Sequence, residues 1–143
     1  MRLSLQSLLD EFACRNGCPR PEYSGGDTAQ IRWADRFVIH VFNDTYAACL
    51  QASALAGHAA ADHALHQAGP AAPVAHDVPE FEFALRHHHD TGAVVAMSRV
   101  ASAALDAAAF ALWLTAFLDR LAQTAARLSD GDQTLQVRMP KIV

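Results

Sequence analysis

The sequence is poor in cysteine and in positive charge. Its three cysteines, Cys14, Cys18 and Cys49, are odd in number and form no CxxC pair. This pattern is typical of reduced thiols in a cytosolic protein rather than of a disulfide framework. Eleven lysines and arginines against 15 aspartates and glutamates give a net charge of -4. Because nucleic acids and anionic lipids are bound by basic patches, this balance argues against either partner.

Long hydrophobic runs are also missing. The longest apolar helical stretch, residues 107–118, is too short to span a bilayer and is flanked by charged residues. At the N-terminus, Gln6, Ser7 and Asp10 interrupt the apolar run that a signal peptide would need. We therefore expect a cytoplasmic protein with no membrane-inserted segment.

Signatures of catalysis are absent as well. The sequence contains none of the patterns GxxxxGK[ST], GxGxxG, GxSxG or HExxH, which mark phosphate loops, dinucleotide sites, nucleophile elbows and zinc proteases. The pair Gly25 and Gly26 precedes a predicted strand, whereas a phosphate loop opens a helix. We expect a binding protein that is not an enzyme and needs no cofactor.

A run of histidines, His87, His88 and His89, is followed by Asp90. His87 and His89 would lie on the same side of a strand, and imidazoles bind zinc. A metal site needs about four ligands, however, and the run falls at a predicted turn. We predict a solvated turn with no metal, and keep as alternative functions a small histidine-dependent metal-binding protein and a generic dimeric scaffold.

What the chain does contain is enough apolar sequence for one folded domain. Hydrophobic residues make up 52% of its 143 residues and charged residues 18%, a globular composition. The first predicted helix starts after Ser4 and ends at Gly17. Its apolar stripe recurs at i, i+3, i+4 and i+7, and consists of Leu5, Leu8, Leu9 and Phe12.

Alternating and continuous apolar segments predict five strands. Ile31 and Trp33 alternate with polar neighbours, residues 37–42 fit a central strand with both faces covered, and residues 46–55 fit a third strand or a helix. After a short alanine-rich helix at 58–68 and a proline-rich connector, residues 79–85 and 93–100 form a hairpin around Asp90, Thr91 and Gly92.

A last helix opens at Asp106, with Phe110, Trp113, Leu114, Phe117, Leu118 and Leu121 on one broad face. The resulting fold class is α+β, an antiparallel sheet of about five strands with three helices in the order α-β-β-β-α-β-β-α. Residues 1–128 would form the domain, and residues 129–143 a tail that is loose or adds an edge strand. The apolar surface exceeds what one small domain easily hides, which indicates a protein partner.

Over residues 3–128 this order of elements resembles the class I type III secretion chaperones, the Tir chaperone-like family. The resemblance lies in residues 8–12 (LLDEF), 31–39 (IRWADRFVI) and 91–100 (TGAVVAMSRV), the last leading into the helix start at Leu105 and Asp106. It implies a cytoplasmic chaperone that binds the N-terminal chaperone-binding segment of a secreted effector and keeps it partly unfolded and secretion-competent.

The resemblance also implies how the partners are held. The effector segment would add a strand to an exposed sheet edge, and its apolar side chains would enter grooves by the first helix. The matching effector-binding positions are Leu5, Leu8, Leu9, Phe12, Ile31 and Trp33. A homodimer would form through the second helix, at Ala61, Leu65 and Ala68.

Overall fold

A computed structural model describes residues 4–58 and 82–138. The first helix, α1, spans Leu5–Asn16. The Ser4 Oγ accepts a hydrogen bond from the Ser7 N–H at 3.1 Å, which caps the first turn. Gly17 ends the helix in the left-handed conformation, with φ 66°, and the Cys18 N–H donates to the Ala13 carbonyl at 2.9 Å. The predicted boundaries of this helix are confirmed.

Within residues 4–58 and 82–138, six strands form one fully antiparallel sheet in the order β1-β2-β3-β4-β6-β5. They are β1 Glu22–Tyr23, β2 Thr28–Trp33, β3 Phe37–Asp44, β4 Cys49–His58, β5 Glu82–His87 and β6 Ala93–Ala101. The α+β class is confirmed, and the third segment is a strand and not a helix. The predicted count of five was wrong, because β1 is two residues long and lies in a stretch of proline and glycine that predicts only loop.

The short helix predicted at 58–68 falls almost entirely outside the described residues. His58 itself is the last residue of β4, and β5 begins at Glu82. The predicted dimer contacts Ala61, Leu65 and Ala68 also lie outside the described residues.

The second described helix, α2, spans Ala107–Arg138 and follows a 3₁₀ turn at Ser102–Ala104. The Asp106 carboxylate accepts the Ala109 N–H at 2.8 Å, as predicted for a helix that starts there. For residues 129–138, the prediction of a loose tail or an edge strand was wrong. The buried face continues through Leu121, Ala125 and Leu128, and a mid-helix glycine such as Gly131 costs only about 1 kcal/mol, too little to end the helix.

The core lies between the two helices and one face of the sheet. Strand β3 alternates buried and exposed residues, with Phe37, Ile39 and Val41 facing the helices. The face that carries Val38 and Phe42 stays exposed, so the prediction that both faces of this strand are covered was wrong for the described part of the chain. We call the helix-covered face the inner face and the opposite face the outer face.

The largest buried side chains belong to α2. Phe110, Trp113 and Phe117 are fully buried, and Phe110 meets Phe12 of α1 edge-on, with ring centroids 6.4 Å apart. One helical face therefore fills the centre of the core, as its sequence spacing predicted. No helix in the described ranges is long and apolar enough to cross a membrane.

Candidate functional site

The margin of strand β2 is only partly covered. Strand β1 pairs with it at two positions, Glu22 with Gln30 and Tyr23 with Ala29. From Ile31 to Trp33, β2 has no partner strand on this side within the part of the chain that the structure describes. The sheet therefore has an open margin next to the end of α1.

Backbone direction shows which groups face this open margin. The Ser24 N–H donates to the Thr28 carbonyl across the β1 side at 2.9 Å. Because backbone groups alternate in direction along a strand, those of Gln30 and Arg32 face the same side as those of Thr28. The N–H and C=O of Arg32 thus lie where an added strand would form its hydrogen bonds.

The sequence before β1 explains why the pairing stops. If the β1–β2 pairing continued by two residues on each strand beyond Glu22 and Gln30, Arg20 would lie opposite Arg32. Like charges directly opposite each other destabilise a strand pair. Pro19 and Pro21 also hold φ near -65° on both sides of Arg20, away from the antiparallel value near -140°.

Two adjoining cavities fill the gap between this segment and β2. One, of about 260 Å³, is lined by residues 16–19 and 32–35. The other, of about 270 Å³, is lined by Pro19, Arg20, Glu22, Gln30, Arg32 and Val38. Because Pro19 and Arg32 line both, we treat the two as one groove and call it the β2 cleft.

Trp33 forms the apolar wall of the β2 cleft. Its ring packs on Phe12, with centroids 6.0 Å apart and planes tilted by 36°, and its side chain is half-buried. Cys18 lies on the same cavity wall, and partial burial raises the pKa of its thiol. The cleft thus combines free backbone groups with an apolar surface.

Tyr23 holds strand β1 against α1. Its hydroxyl donates to an Asp10 carboxylate oxygen at 2.6 Å and lies 3.1 Å from the Gln6 carbonyl. Burial raises the pKa of Tyr23 well above its ordinary value, and the hydrogen bond and the negative charge of Asp10 raise it further. This contact holds β1 in place where it borders the β2 cleft.

The structure places most of the predicted effector-binding residues in the core. Five of the six are buried, namely Leu5, Leu8, Leu9, Phe12 and Ile31. Leu5 and Leu8 also line a separate cavity of about 130 Å³, beside Asn43 and Thr45 at the opposite end of α1. Trp33 is the member of the set with substantial surface left, and the role of all six in binding stays a prediction.

Sequence analysis did not identify two other features. Arg32 was predicted only as a polar residue of an alternating strand, whereas the structure places it beyond the last β1–β2 pair with its side chain exposed. Three large apolar side chains of the outer face are also exposed, Val38 at 40%, Phe42 at 43% and Leu55 at 49%. The sequence of residues 37–42 carried no signal for this, because Val38 and Phe42 are apolar like the buried residues of the same strand and an apolar run predicts a strand covered on both faces.

The histidine run begins at His87, the last residue of β5, and leads into a turn, as predicted. The Gly92 N–H donates to the His88 carbonyl at 2.7 Å, and Gly92 has φ 76°. The His87 and His89 rings meet edge-on with centroids 5.1 Å apart. Among residues 4–58 and 82–138, no cluster of three or more potential metal ligands is found.

Solved structures share this fold. The Yersinia pestis type III secretion chaperone SycH, in complex with a stable fragment of YscM2, matches with a TM-score of 0.56 at 19% identity, over 86% of this chain and 98% of SycH. The Pseudomonas aeruginosa ExoT–SpcS complex matches with a TM-score of 0.55 at 15% identity, over 90% of this chain and 99% of the matched chain.

A third match is the HopA1–SchA chaperone–effector complex, with a TM-score of 0.52 at 15% identity, over 80% of this chain and 88% of the matched chain. At such identities the likeness is one of fold, and it confirms the predicted resemblance to type III secretion chaperones at that level. No family model and no curated protein matches the sequence.

Proposed function

We propose that this chain is a cytoplasmic chaperone that binds the N-terminal chaperone-binding segment of a type III secreted effector. The observation that carries the proposal is the open margin of β2 beside Trp33. The fold adds support, because similar chains were solved as type III secretion chaperone or chaperone–effector complexes.

Binding would proceed by strand addition. The N–H and C=O of Arg32 would pair with the backbone of an extended effector segment, which supplies affinity for many sequences, while side-chain contacts discriminate among them. Side chains of the segment that face inward would pack on Trp33. A segment held extended in this way cannot form its own helix or hairpin, which would keep it partly unfolded and secretion-competent.

Leu9 is fully buried, and the other five predicted binding residues would act in three ways. Trp33 would touch the effector directly. Phe12 and Ile31 would hold the Trp33 side chain in position from the core, since the Phe12 ring already packs against it. Leu5 and Leu8 would offer a second apolar pocket through the cavity that they line.

We also propose that the chain forms a homodimer. The resemblance implies pairing through the segment that contains Ala61, Leu65 and Ala68. A dimer would offer two β2 clefts to one effector segment, and binding at both would raise the effective affinity. Neither role requires a catalytic residue or a cofactor.

The test is co-expression with the first hundred or so residues of candidate effectors, followed by co-purification and light scattering. The native chain should yield a stable complex, and Trp33→Asp should lose it while keeping its own oligomeric state. Tyr46→Asp is the matched control, because Tyr46 is fully exposed in the turn after β3. The proposal is wrong if no candidate effector binds, or if Trp33→Asp and Tyr46→Asp bind as the native chain does.

A further inference from the structure

The open margin of β2 carries a charge as well as backbone groups. We propose that the segment which pairs with β2 has an acidic residue opposite Arg32, with an apolar residue on each side of it. This inference rests on the proposed function and adds a sequence preference to it. It follows from the register of the sheet and from the charges around Arg32.

The side chain of Arg32 lies on the outer face of the sheet. It is the last member, at the β2 edge, of a row of side chains that runs across the strands. Its neighbour on β3 is Val38, which offers no charge, and the Arg32 side chain is exposed. No salt bridge of Arg32 is found within the described part of the chain. The position beyond Arg32 in this row is where a residue of an added strand would lie.

Other charged groups around the β2 cleft are Arg20, Glu22 and Asp35. Glu22 is already placed opposite Gln30, one pair away from the open position. Arg20 would oppose Arg32 if β1 were extended, so the chain's own segment brings repulsion to this position. An acidic residue from a partner would replace that repulsion with attraction, which is the chemical reason for the predicted preference.

The neighbours of this acidic residue would point the other way. Side chains alternate between the two faces of a strand, so the residues before and after it would lie on the inner side of the added strand. Trp33 and Cys18 line the cleft there, and the exposed part of the indole is apolar. The expected pattern is therefore apolar, acidic, apolar, in either strand direction.

The test uses three fluorescein-labelled synthetic peptides that differ at one central position. They have the sequence Thr-Thr-Leu-X-Val-Thr-Thr, with X as Glu, Gln or Lys, and binding is measured by fluorescence polarisation at low and high salt. The native chain should bind the Glu peptide about two- to thirtyfold more tightly than the Lys peptide, with the Gln peptide between them. High salt should reduce this difference, because the charges are exposed.

Charge reversal in the protein supplies the second arm. Arg32→Glu should invert the order, so that the Lys peptide binds best. Arg86→Glu is the matched control. Arg86 is an exposed arginine on β5, at the far end of the sheet, and it lies opposite Val95 of β6. This control should leave the order unchanged, and thermal melts of both variants would check that they are folded.

The outcomes separate the two proposals. If the three peptides bind equally, if Arg32→Glu keeps the native order, or if no peptide binds either protein, the preference for an acidic residue is wrong. The chaperone proposal would still stand if an effector fragment co-purifies with the native chain and is lost on Trp33→Asp. If no effector fragment co-purifies, the chaperone proposal itself fails.

Discussion

The indole Nε1 of Trp113 donates a 3.0 Å hydrogen bond to the Ser98 Oγ inside the core. Both side chains are buried, Trp113 on α2 and Ser98 at an inner position of β6. The bond satisfies the one polar atom of the largest core side chain, and it fixes the position of α2 along the sheet. A buried donor of this kind costs free energy when its acceptor is removed.

Ser98→Ala should lower the free energy of unfolding by about 1–3 kcal/mol, because it leaves the Trp113 N–H buried without an acceptor. Urea denaturation followed by circular dichroism measures the change. Ser53→Ala is the control, since Ser53 is half-buried on the outer face of the neighbouring strand and should change stability by less than about 0.5 kcal/mol. Equal losses in the two variants would contradict a special role for Ser98.

Spacing in the sequence predicted α2 but not its contact with Ser98. Phe110, Trp113 and Phe117 recur at helical intervals, which is enough to assign one buried face. The partner of the indole N–H depends on how that helix lies across β6, and periodicity within a segment carries no information about contacts between segments. The later turns of the helix were missed for a different reason, since residues 129–143 were predicted as a tail, and a single glycine such as Gly131 costs too little to end a helix.

The candidate site was predicted only in part, for a related reason. An apolar stripe has the same spacing whether it faces the core or a partner, and α1 turned out to use its stripe, including Leu9, for the core. Trp33 differs because it lies at the end of an incompletely paired strand. That property arises from Pro19, Arg20 and Pro21, whose effect appears only once the register of β1 on β2 is known.

A second prediction concerns the turn between β3 and β4. Ala48 has φ 51°, and a left-handed alanine costs roughly 1–2 kcal/mol. Ala48→Gly should therefore raise the free energy of unfolding by about 0.5–1 kcal/mol, after the added flexibility of the unfolded chain is subtracted. The midpoint of urea unfolding is the measurement.

Ala47→Gly is the matched control for this turn. Ala47 is also exposed but is not among the described residues with positive φ, so glycine there relieves no strain. It should lower stability by up to about 1 kcal/mol through the unfolded chain alone. A loss of similar size in Ala48→Gly would show that the positive φ of Ala48 is not strained.

A third prediction concerns pH and Tyr23. Burial and the hydrogen bond to Asp10 raise the pKa of Tyr23 above its ordinary value of about 10. The folded chain therefore keeps this proton at a pH where the unfolded chain releases it. The stabilisation is fully present below about pH 10 and is lost as the pH rises further.

The experiment compares two proteins in a Tyr46→Phe background, in which Tyr23 is the single tyrosine. Between about pH 9 and about pH 11, the urea midpoint should fall more steeply with Tyr23 present than in the Tyr23→Phe variant. Adding Asp10→Asn should make phenolate absorbance appear at lower pH, since the negative charge is removed and the hydroxyl can donate only to a neutral amide oxygen, which is a weaker acceptor. Identical pH profiles with and without Tyr23 would rule out this linkage.

The fourth prediction concerns the contact between β4 and the later turns of α2. The sheet register shifts between Leu55 and Gly57, and a Cβ at Gly57 would lie 3.2 Å from the Leu128 Cδ1. Leu128 is buried, so it has little room to move. Gly57→Val should lower the free energy of unfolding by about 1–3 kcal/mol through overpacking, and by more where the positive φ of Gly57, 159°, strains a residue with a side chain.

A double-mutant cycle tests whether Leu128 is the cause. Leu128→Ala alone removes buried methyl groups and should cost about 2–5 kcal/mol. Combined with Gly57→Val, it makes room for the new side chain, so the double variant should be more stable than the sum of the single losses by about 0.5–3 kcal/mol. Strict additivity would mean that the loss in Gly57→Val comes from the positive φ of Gly57 or from another contact, and not from the contact with Leu128.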